Sequence, residues 1–309
     1  VESLGDRWSY YLDPEAYVAQ QESRADVLDV NVGLPGIQED EMMVQVVKNL
    51  QSVVELPLQI DSSDPAAIEA GLRAYNGKPI VNSVNGNREV LEQILPLCKK
   101  YGAAVVGLTL DEQGIPKTAE GRFQIAKRIL DRALALGIRR EDVYIDCLTL
   151  TVSAEQDGAV QTLSALHRVK QELGLKTVLG VSNISFGLPC RSYLNTTFLT
   201  MAMYAGLDLA IMNPSSEEMM AAVYAYNVLT NRDRQSTKYI ERYANRVPAS
   251  AALVQAVQNA QTAPAAGETP EAAGPYAPLM KAVEKGLKGE AAARTRELLE
   301  EKEPLELVG

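Results

Sequence analysis

The sequence predicts a parallel β/α barrel of the (β/α)₈, or TIM-barrel, class. Seven short apolar segments alternate with amphipathic helical segments, and each apolar segment ends in a cluster of Asp, Asn, Ser or Thr. Strict alternation of strands and helices is typical of a parallel sheet. Strands that are apolar at nearly every position are expected where helices cover both faces of a sheet. In such a barrel the carboxyl ends of the strands meet at one mouth, where the chemistry takes place.

The seven predicted strands are short and evenly spaced. They cover residues 27–33, 56–62, 79–85, 103–111, 143–150, 177–185 and 207–214. Apolar residues at helical spacing predict helices over residues 39–54, 118–136, 155–173 and 215–229. Gly137 and Gly174 follow two of these helices at positions where a left-handed residue ends a helix. Pro65 and Pro214 are typical of helix entries.

A closed barrel of this class needs an eighth strand, and the sequence places it first. Residues 12–23 predict a helix ahead of the first clear strand, so the missing strand should precede that helix. Residues 1–11 are polar and aromatic and contain no apolar run. The first strand is therefore missing or atypical: either it was cut off, or this segment fills its place. The interpretation assigns residues 1–244 to the barrel, with an atypical segment at 1–25.

The amino-acid composition of the chain changes after the last predicted barrel helix. Residues 245–275 are rich in Ala, Pro, Gln, Thr and Gly, which predicts a flexible linker. Residues 276–309 then show amphipathic spacing, which predicts short helices that belong to the beginning of another module.

The net charge of −10 argues against a nucleic-acid partner, because a phosphate-binding face needs clustered Lys and Arg. The three cysteines form neither a CxxC pair nor a zinc spacing. We therefore expect a reduced, cytoplasmic protein that has no metal site of its own. No apolar run reaches membrane-spanning length, and phosphate-binding glycine loops are absent.

Four polar residues at strand ends are the main candidate ligands: Asp61, Asn82, Asp146 and Asn183. A mouth lined by amides and carboxylates suits a neutral heterocycle with many hydrogen-bonding groups. Each residue also has a structural interpretation, as a helix cap or as part of a turn. For Asp61, the neighbouring Ser63 or Asp64 is better placed to cap the following helix.

Five further residues are candidate supporting ligands. Asp29 and Asn31 occupy alternate positions of one strand, so their side chains share a face. Three others lie at the ends of other strands: Ser62, Asn85 and Asn213.

Several of these segments together resemble a known family. They are Leu-Asp-Val-Asn-Val-Gly at 28–33, Gln-Ile-Asp-Ser-Ser at 59–63, Asn-Ser-Val-Asn-Gly at 82–86, Tyr-Ile-Asp at 144–146 and Gly-Val-Ser-Asn-Ile-Ser-Phe-Gly-Leu-Pro at 180–189. In this order they resemble the pterin-binding domain of methyltetrahydrofolate:corrinoid methyltransferases, above all the folate module of cobalamin-dependent methionine synthase. Two features differ from the family pattern: the Glu-Arg-x-Asn-x-Thr-Gly-like motif of the first strand is absent, and Cys147 stands where Pro is usual.

The resemblance implies a methyltransferase that moves the N5 methyl group of 5-methyltetrahydrofolate to cob(I)alamin. It implies that Asp61, Asn82 and Asp146 hold the pterin ring and that Asn183 lies beside N5 as the catalytic residue. The cobalamin would be carried by a partner domain or protein, and the segment from residue 276 would begin the helical cap of such a module. The final methyl acceptor and the oligomeric state, including a homodimer, are left open.

Two alternatives remain at this stage. One is an enzyme like dihydropteroate synthase, which needs cationic residues late in the barrel, whereas the last strand here ends Ile211-Met212-Asn213-Pro214. The other is a fragment that binds folate or docks a corrinoid protein without catalysis.

Overall fold

The computed structural model describes residues 14–244, 279 and 288–299. The chain divides into two compact units, Val1–Ala244 and Asn245–Gly309. In the first unit, seven strands form one parallel sheet in the order in which they occur along the chain. The strands are β1 Leu28–Asn31, β2 Leu58–Asp61, β3 Ile80–Asn85, β4 Ala104–Leu108, β5 Val143–Asp146, β6 Lys176–Gly180 and β7 Leu209–Ile211.

A helix follows each strand, and one more precedes the first. They are α1 Pro14–Glu22, α2 Glu39–Val53, α3 Pro65–Ala74, α4 Arg88–Tyr101, α5 Ala119–Ala135, α6 Gly158–Arg168, α7 Arg191–Ala205 and α8 Glu217–Leu229, with a short α9 at Thr237–Tyr243. The predicted helix over 155–173 is α6 extended by a π-helical turn, Val169–Leu173. Both predicted terminating glycines are left-handed, with φ of 75° at Gly137 and 62° at Gly174.

The predicted TIM-barrel class is confirmed, with the barrel nearly closed. Each strand pairs with the next, from β1 to β7. Among the described residues no pairing joins β1 to β7, and we call the opening between these two strands the seam. A cavity of about 340 Å³ lies there, lined by Asp29, Leu209, Met203 and Val223 among others. Residues 1–11, considered above for the missing strand, lie outside the described part of the chain.

Alternation along the strands creates two apolar layers. Leu28 and Val30 belong to the large core between the sheet and the helices. A smaller cluster, built on Ile80, Ala104, Val106 and Val178, fills the barrel interior. Because side chains alternate between these layers, the polar residues at the interior positions near the strand ends must face the mouth.

In the second unit the structure describes one complete helix, α10, at Lys288–Leu299. The predicted linker over residues 245–275 and most of the predicted cap lie outside the described residues. A helix long and apolar enough to cross a membrane is absent from the part of the chain that the structure describes.

Candidate active site

The first group of polar residues lies on three neighbouring strands. Asn31 of β1 is the register partner of Asp61 of β2, and Asp61 is in turn the partner of Asn82 of β3. The strands are parallel, so the three side chains occupy one edge of the mouth, side by side. The structure thus brings two of the predicted ring ligands, Asp61 and Asn82, together.

Asp29 lies one interior position below Asn31 and borders the seam cavity. The amide of Gln59 donates a hydrogen bond to the Asp29 carboxylate over 2.6 Å. Burial raises the pKa of Asp29, while hydrogen bonds with Gln59, Asp61 and Asn82 lower it. Burial and the negative charge of Asp29 raise the pKa of Asp61 to about 6. The two carboxyl groups therefore compete for ionisation at the same edge of the barrel.

Ser62 and Glu39 form a contact directly behind Asp61. The Ser62 hydroxyl donates to the Glu39 carboxylate and accepts a hydrogen bond from the backbone N–H of Asp64. Asp64, in turn, caps α3 by accepting from the N–H of Ala66. Of the two cap residues that the sequence favoured, Ser63 and Asp64, the structure has Asp64, and Asp61 does not cap the helix.

The second group is centred on Asp146 at the end of β5. Its side chain is buried, and its carboxylate accepts a hydrogen bond of 2.7 Å from the N–H of Leu148. Burial raises the pKa of Asp146 to about 7, against hydrogen bonds from the N–H groups of Leu148 and Gly180 and the charge of Arg122. Asp146 is thus a carboxyl group that titrates near neutral pH, a property that often marks functional sites.

Asn183 lies on a 3₁₀ turn, Val181–Ser185, that follows β6 directly. Its side chain is exposed, and its amide nitrogen lies 3.0 Å from where a β-carbon on Gly180 would be. Gly180 also donates its N–H toward Asp146. Gly180 therefore lies next to both Asp146 and the Asn183 side chain.

The turn that carries Asn183 is held from two sides. The N–H of Val152, in the loop after β5, donates to the carbonyl of Ile184 over 3.0 Å. The guanidinium of Arg191 donates to the Ser182 carbonyl over 2.8 Å and to the Ser185 hydroxyl over 2.9 Å. Asn183 thus projects from a turn that hydrogen bonds fix on both sides.

Three of the predicted supporting residues form local turns. The side-chain oxygens of Asn31, Asn85 and Asn213 each accept a hydrogen bond from the backbone N–H two residues further on. This is Asx-turn geometry, in which the side-chain oxygen closes a turn of its own backbone. Each hydrogen bond occupies one acceptor position of the amide oxygen, and the Asn31 side chain also hydrogen-bonds to the Asp61 carboxylate.

Sequence reasoning did not single out Glu39, Gln59, Gly180 or Arg122. Glu39 and Arg122 come near predicted ligands only through the fold, whereas Gln59 and Gly180 are also close to Asp61 and Asn183 along the chain. Arg122 is completely buried behind the loop that follows Asp146. Its signal in the sequence was weak, since one cation in an amphipathic helix normally indicates a solvated face.

Within the described residues, no group of three or more His, Cys, Asp or Glu side chains is arranged to hold a metal ion. The donor set of the mouth is instead carboxylates and amides. Such groups complement a neutral ring that offers N–H donors.

Comparison with known proteins identifies the family of this barrel. The family described as pterin binding enzyme matches residues 15–213. The chain belongs to the pterin-binding enzyme family. The predicted resemblance is thereby confirmed, and the matched span contains both groups of polar residues at the mouth.

Two kinds of curated relative are similar to this pterin-binding chain. It is 31% identical over 229 residues to the methylcorrinoid:tetrahydrofolate methyltransferase of Eubacterium limosum, covering 73% of this chain and 84% of that protein. It is 34% identical over 213 residues to the methionine synthase of Mycobacterium leprae, covering 64% of this chain and only 18% of that enzyme. The names of these relatives confirm the prediction of a methyltransferase.

Solved structures of similar fold are dihydropteroate synthases. The Yersinia pestis enzyme with a pterin–sulfa conjugate is 18% identical, with a TM-score of 0.58 over 71% of this chain and 90% of that one. The Thermus thermophilus enzyme with 4-aminobenzoate is 19% identical, with a TM-score of 0.55 over 70% of this chain and 88% of that one. At this identity the likeness concerns the fold alone, and it supports the barrel class.

Proposed function

We propose that this chain binds 5-methyltetrahydrofolate and transfers its N5 methyl group to cob(I)alamin held by a partner domain or protein. The observation that carries the proposal is that Asp146 and Asn183 both lie next to Gly180, in a barrel of the pterin-binding enzyme family. One group can grip the ring, and the other can act at the nitrogen that releases the methyl group.

The grip on the pterin ring is assigned to Asp61, Asn82 and Asp146. A pterin offers ring N–H groups and an exocyclic amine, and a carboxylate accepts two such hydrogen bonds more strongly than a neutral acceptor. Asp146 is buried and partly ionised near neutral pH, so it is well suited to accept both. Asn82 adds an amide with both donor and acceptor atoms beside Asp61.

Asn183 is assigned the catalytic role. A tertiary amine releases a methyl group poorly, because the departing nitrogen gains electron density. A hydrogen bond from the Asn183 amide that strengthens in the transition state would stabilise that nitrogen. The fixed 3₁₀ turn supports this role, because a preorganised donor needs no reordering at the moment of reaction.

The corrinoid supplies the cobalt centre that accepts the methyl group. This chain would contribute the orientation of the methyl group toward the open mouth, where a corrinoid-carrying partner can dock. The name of the Eubacterium limosum relative, a methylcorrinoid:tetrahydrofolate methyltransferase, supports this partner class. A cytoplasmic location and a homodimer stay predictions.

A dihydropteroate synthase activity is the second candidate, because dihydropteroate synthases share this fold. The end of β7 argues against it. Ile211, Met212 and Asn213 provide no cation there for a diphosphate.

The test combines a binding measurement with a transfer measurement. We expect 5-methyltetrahydrofolate to raise the melting temperature of the full chain. We also expect the chain to transfer the methyl group to supplied cob(I)alamin, which is measured from the change in the absorbance of the corrinoid. Binding without transfer would favour the non-catalytic alternative. If the chain instead condenses a dihydropterin diphosphate with 4-aminobenzoate, and 5-methyltetrahydrofolate does not change its melting temperature, it is a dihydropteroate synthase and the proposal is wrong.

A further inference from the structure

We propose that Arg122 is a positioning residue for the pterin: it fixes the loop that presents Asp146 and supplies the positive charge behind that carboxylate. The inference rests on the proposed function, since it concerns how the same site accepts the pterin ring.

Arg122 lies at the start of α5, and its side chain is completely buried. Its Nε donates to the Pro116 carbonyl over 2.9 Å. One terminal nitrogen donates to the carbonyls of Cys147 and Leu148, both at 3.0 Å, and to the Thr162 hydroxyl at 2.6 Å. The guanidinium therefore binds the two residues that directly follow Asp146.

The contact reaches the carboxylate through a single peptide unit. The carbonyl of Cys147 accepts from Arg122 over 3.0 Å, and the N–H of Leu148, which belongs to the same peptide unit, donates to Asp146 over 2.7 Å. Leu148 has a φ of 60°, a left-handed conformation that is uncommon for a leucine. Because a peptide unit is planar, the hydrogen bond that holds the Cys147 carbonyl also sets where the Leu148 N–H points.

The guanidinium has no carboxylate within ion-pair distance among the described residues, although it is buried. Burial lowers the pKa of Arg122, and the negative charges of Cys147, Glu155 and Asp146 raise it. Burial raises the pKa of the Cys147 thiol, so this group is neutral near pH 7. Glu155 lies 3.9 Å from Lys117, which offsets its charge. Glu155 and Asp146 are therefore the counter-charges of Arg122, and of these two Asp146 lies at the mouth.

The groups that act on Asp146 come from three elements. They are the guanidinium of Arg122 on α5, the N–H of Leu148 in the loop after β5, and the N–H of Gly180 at the end of β6. Arg122 is the charged member of this set, and it favours the ionised carboxylate against the effect of burial. An ionised carboxylate can accept both hydrogen bonds from a pterin, whereas a protonated one cannot.

The test separates charge from loop geometry with two substitutions. Arg122→Gln keeps a planar polar group and removes the charge, whereas Arg122→Lys keeps the charge and loses the fork of donors. The dissociation constant for 5-methyltetrahydrofolate is measured by calorimetry across neutral pH, and melting curves check folding. Thr162→Val is the control for the loop, because it removes a neutral contact with the same Leu148 carbonyl.

For Arg122→Gln we expect the pH midpoint of binding to rise by about one unit, since loss of an opposite charge shifts a carboxyl pKa by that order. Near pH 7 this corresponds to about fivefold weaker binding. Arg122→Lys should weaken binding at every pH and leave the pH midpoint unchanged. Thr162→Val should also leave the midpoint unchanged and should weaken binding less. An unchanged midpoint in the glutamine variant, or a lysine variant that shifts the midpoint as far, overturns the inference.

Failure of the proposed function would look different. If the parent protein does not bind 5-methyltetrahydrofolate at any pH, that proposal fails and the Arg122 inference is judged from the ligand-free protein. Carboxyl ¹³C NMR then follows the titration of Asp146 in the parent and in Arg122→Lys, with Asp146→Asn to assign the signal. If Arg122→Gln does not fold, the lysine variant still decides, because it must keep the titration of Asp146 within a few tenths of a pH unit.

Discussion

The amide nitrogen of Asn183 lies 3.0 Å from the position that a β-carbon on Gly180 would occupy. The backbone of Gly180 has φ of −73°, so an alanine would not be strained there. An added β-carbon would instead press on the Asn183 amide and move it by a few tenths of an ångström.

We expect Gly180→Ala to displace Asn183 and to lower the rate of methyl transfer about tenfold or more, with folate affinity nearly retained. A contact of this kind is tighter than ordinary packing, and loss of a well-placed donor costs rate more than binding. Single-turnover transfer and calorimetry measure the two effects. Gly158→Ala is the matched control, because its nearest neighbour atom, on Glu155, lies at an ordinary 3.5 Å. Equal losses in both measurements would speak against an Asn183 that acts mainly in the transition state.

Asn183→Ala and Asp146→Ala should separate the two roles proposed for the mouth. We expect the first substitution to lower transfer by about 100-fold, as removal of one transition-state hydrogen bond does elsewhere, while binding changes little. The second should weaken folate binding by about tenfold or more, because it removes a charged acceptor. Gln93→Ala, on the exposed face of α4, is the control. Similar small effects of both variants on both quantities would contradict the assignment.

The stability of the ligand-free protein should depend on pH because of its buried carboxyl groups. Asp61 and Asp146 have folded-state pKa values of about 6 and about 7, against 3.8 for an ordinary aspartate. Because the folded state holds these protons more tightly than the unfolded chain, their stabilisation is full below about pH 4 and is lost as pH rises through 6 and 7. Melting temperatures across this range should fall less steeply in Asp146→Asn than in the parent. Identical slopes would mean that Asp146 is ionised throughout.

Asp29 is expected to govern the titration of Asp61. Its negative charge is the largest cause after burial of the raised Asp61 pKa, whereas the charge of Glu39 is a smaller one. Asp29→Asn should therefore lower the pKa of Asp61 from about 6, and Glu39→Gln should lower it less. Carboxyl ¹³C NMR of the two variants measures both shifts. A larger shift of the Asp61 pKa in Glu39→Gln than in Asp29→Asn would show that Asp29 is not the main charge acting on Asp61.

All seven strands of the sheet could be predicted from the sequence, because parallel strands buried on both faces have a continuous apolar pattern. Their lengths could not. Residues 207–214 predicted a long last strand, but β7 covers only Leu209–Ile211. Its one partner among the described residues is β6, so the ladder ends where β6 ends.

The identities of the polar residues at the mouth were also available from the sequence, because strand ends in a barrel converge whatever the loops do. Their individual duties required the structure. Asn31, Asn85 and Asn213 share the residue type of Asn82 and Asn183, yet each accepts a hydrogen bond from its own turn. A one-dimensional pattern cannot separate an amide that closes a turn from one that faces a ligand.

The sequence by itself determined the barrel class, the family and the ring of acids and amides, since these follow from hydrophobic period and from local motifs. Only the tertiary structure decided which side chains lie close enough to shift each other's pKa or to limit each other's space. It placed Arg122 behind Asp146 from a helix 24 positions earlier in the chain, and Gly180 beneath Asn183. The physical reason is that burial and electrostatic coupling depend on distance through space, and the packing of helices against strands sets that distance.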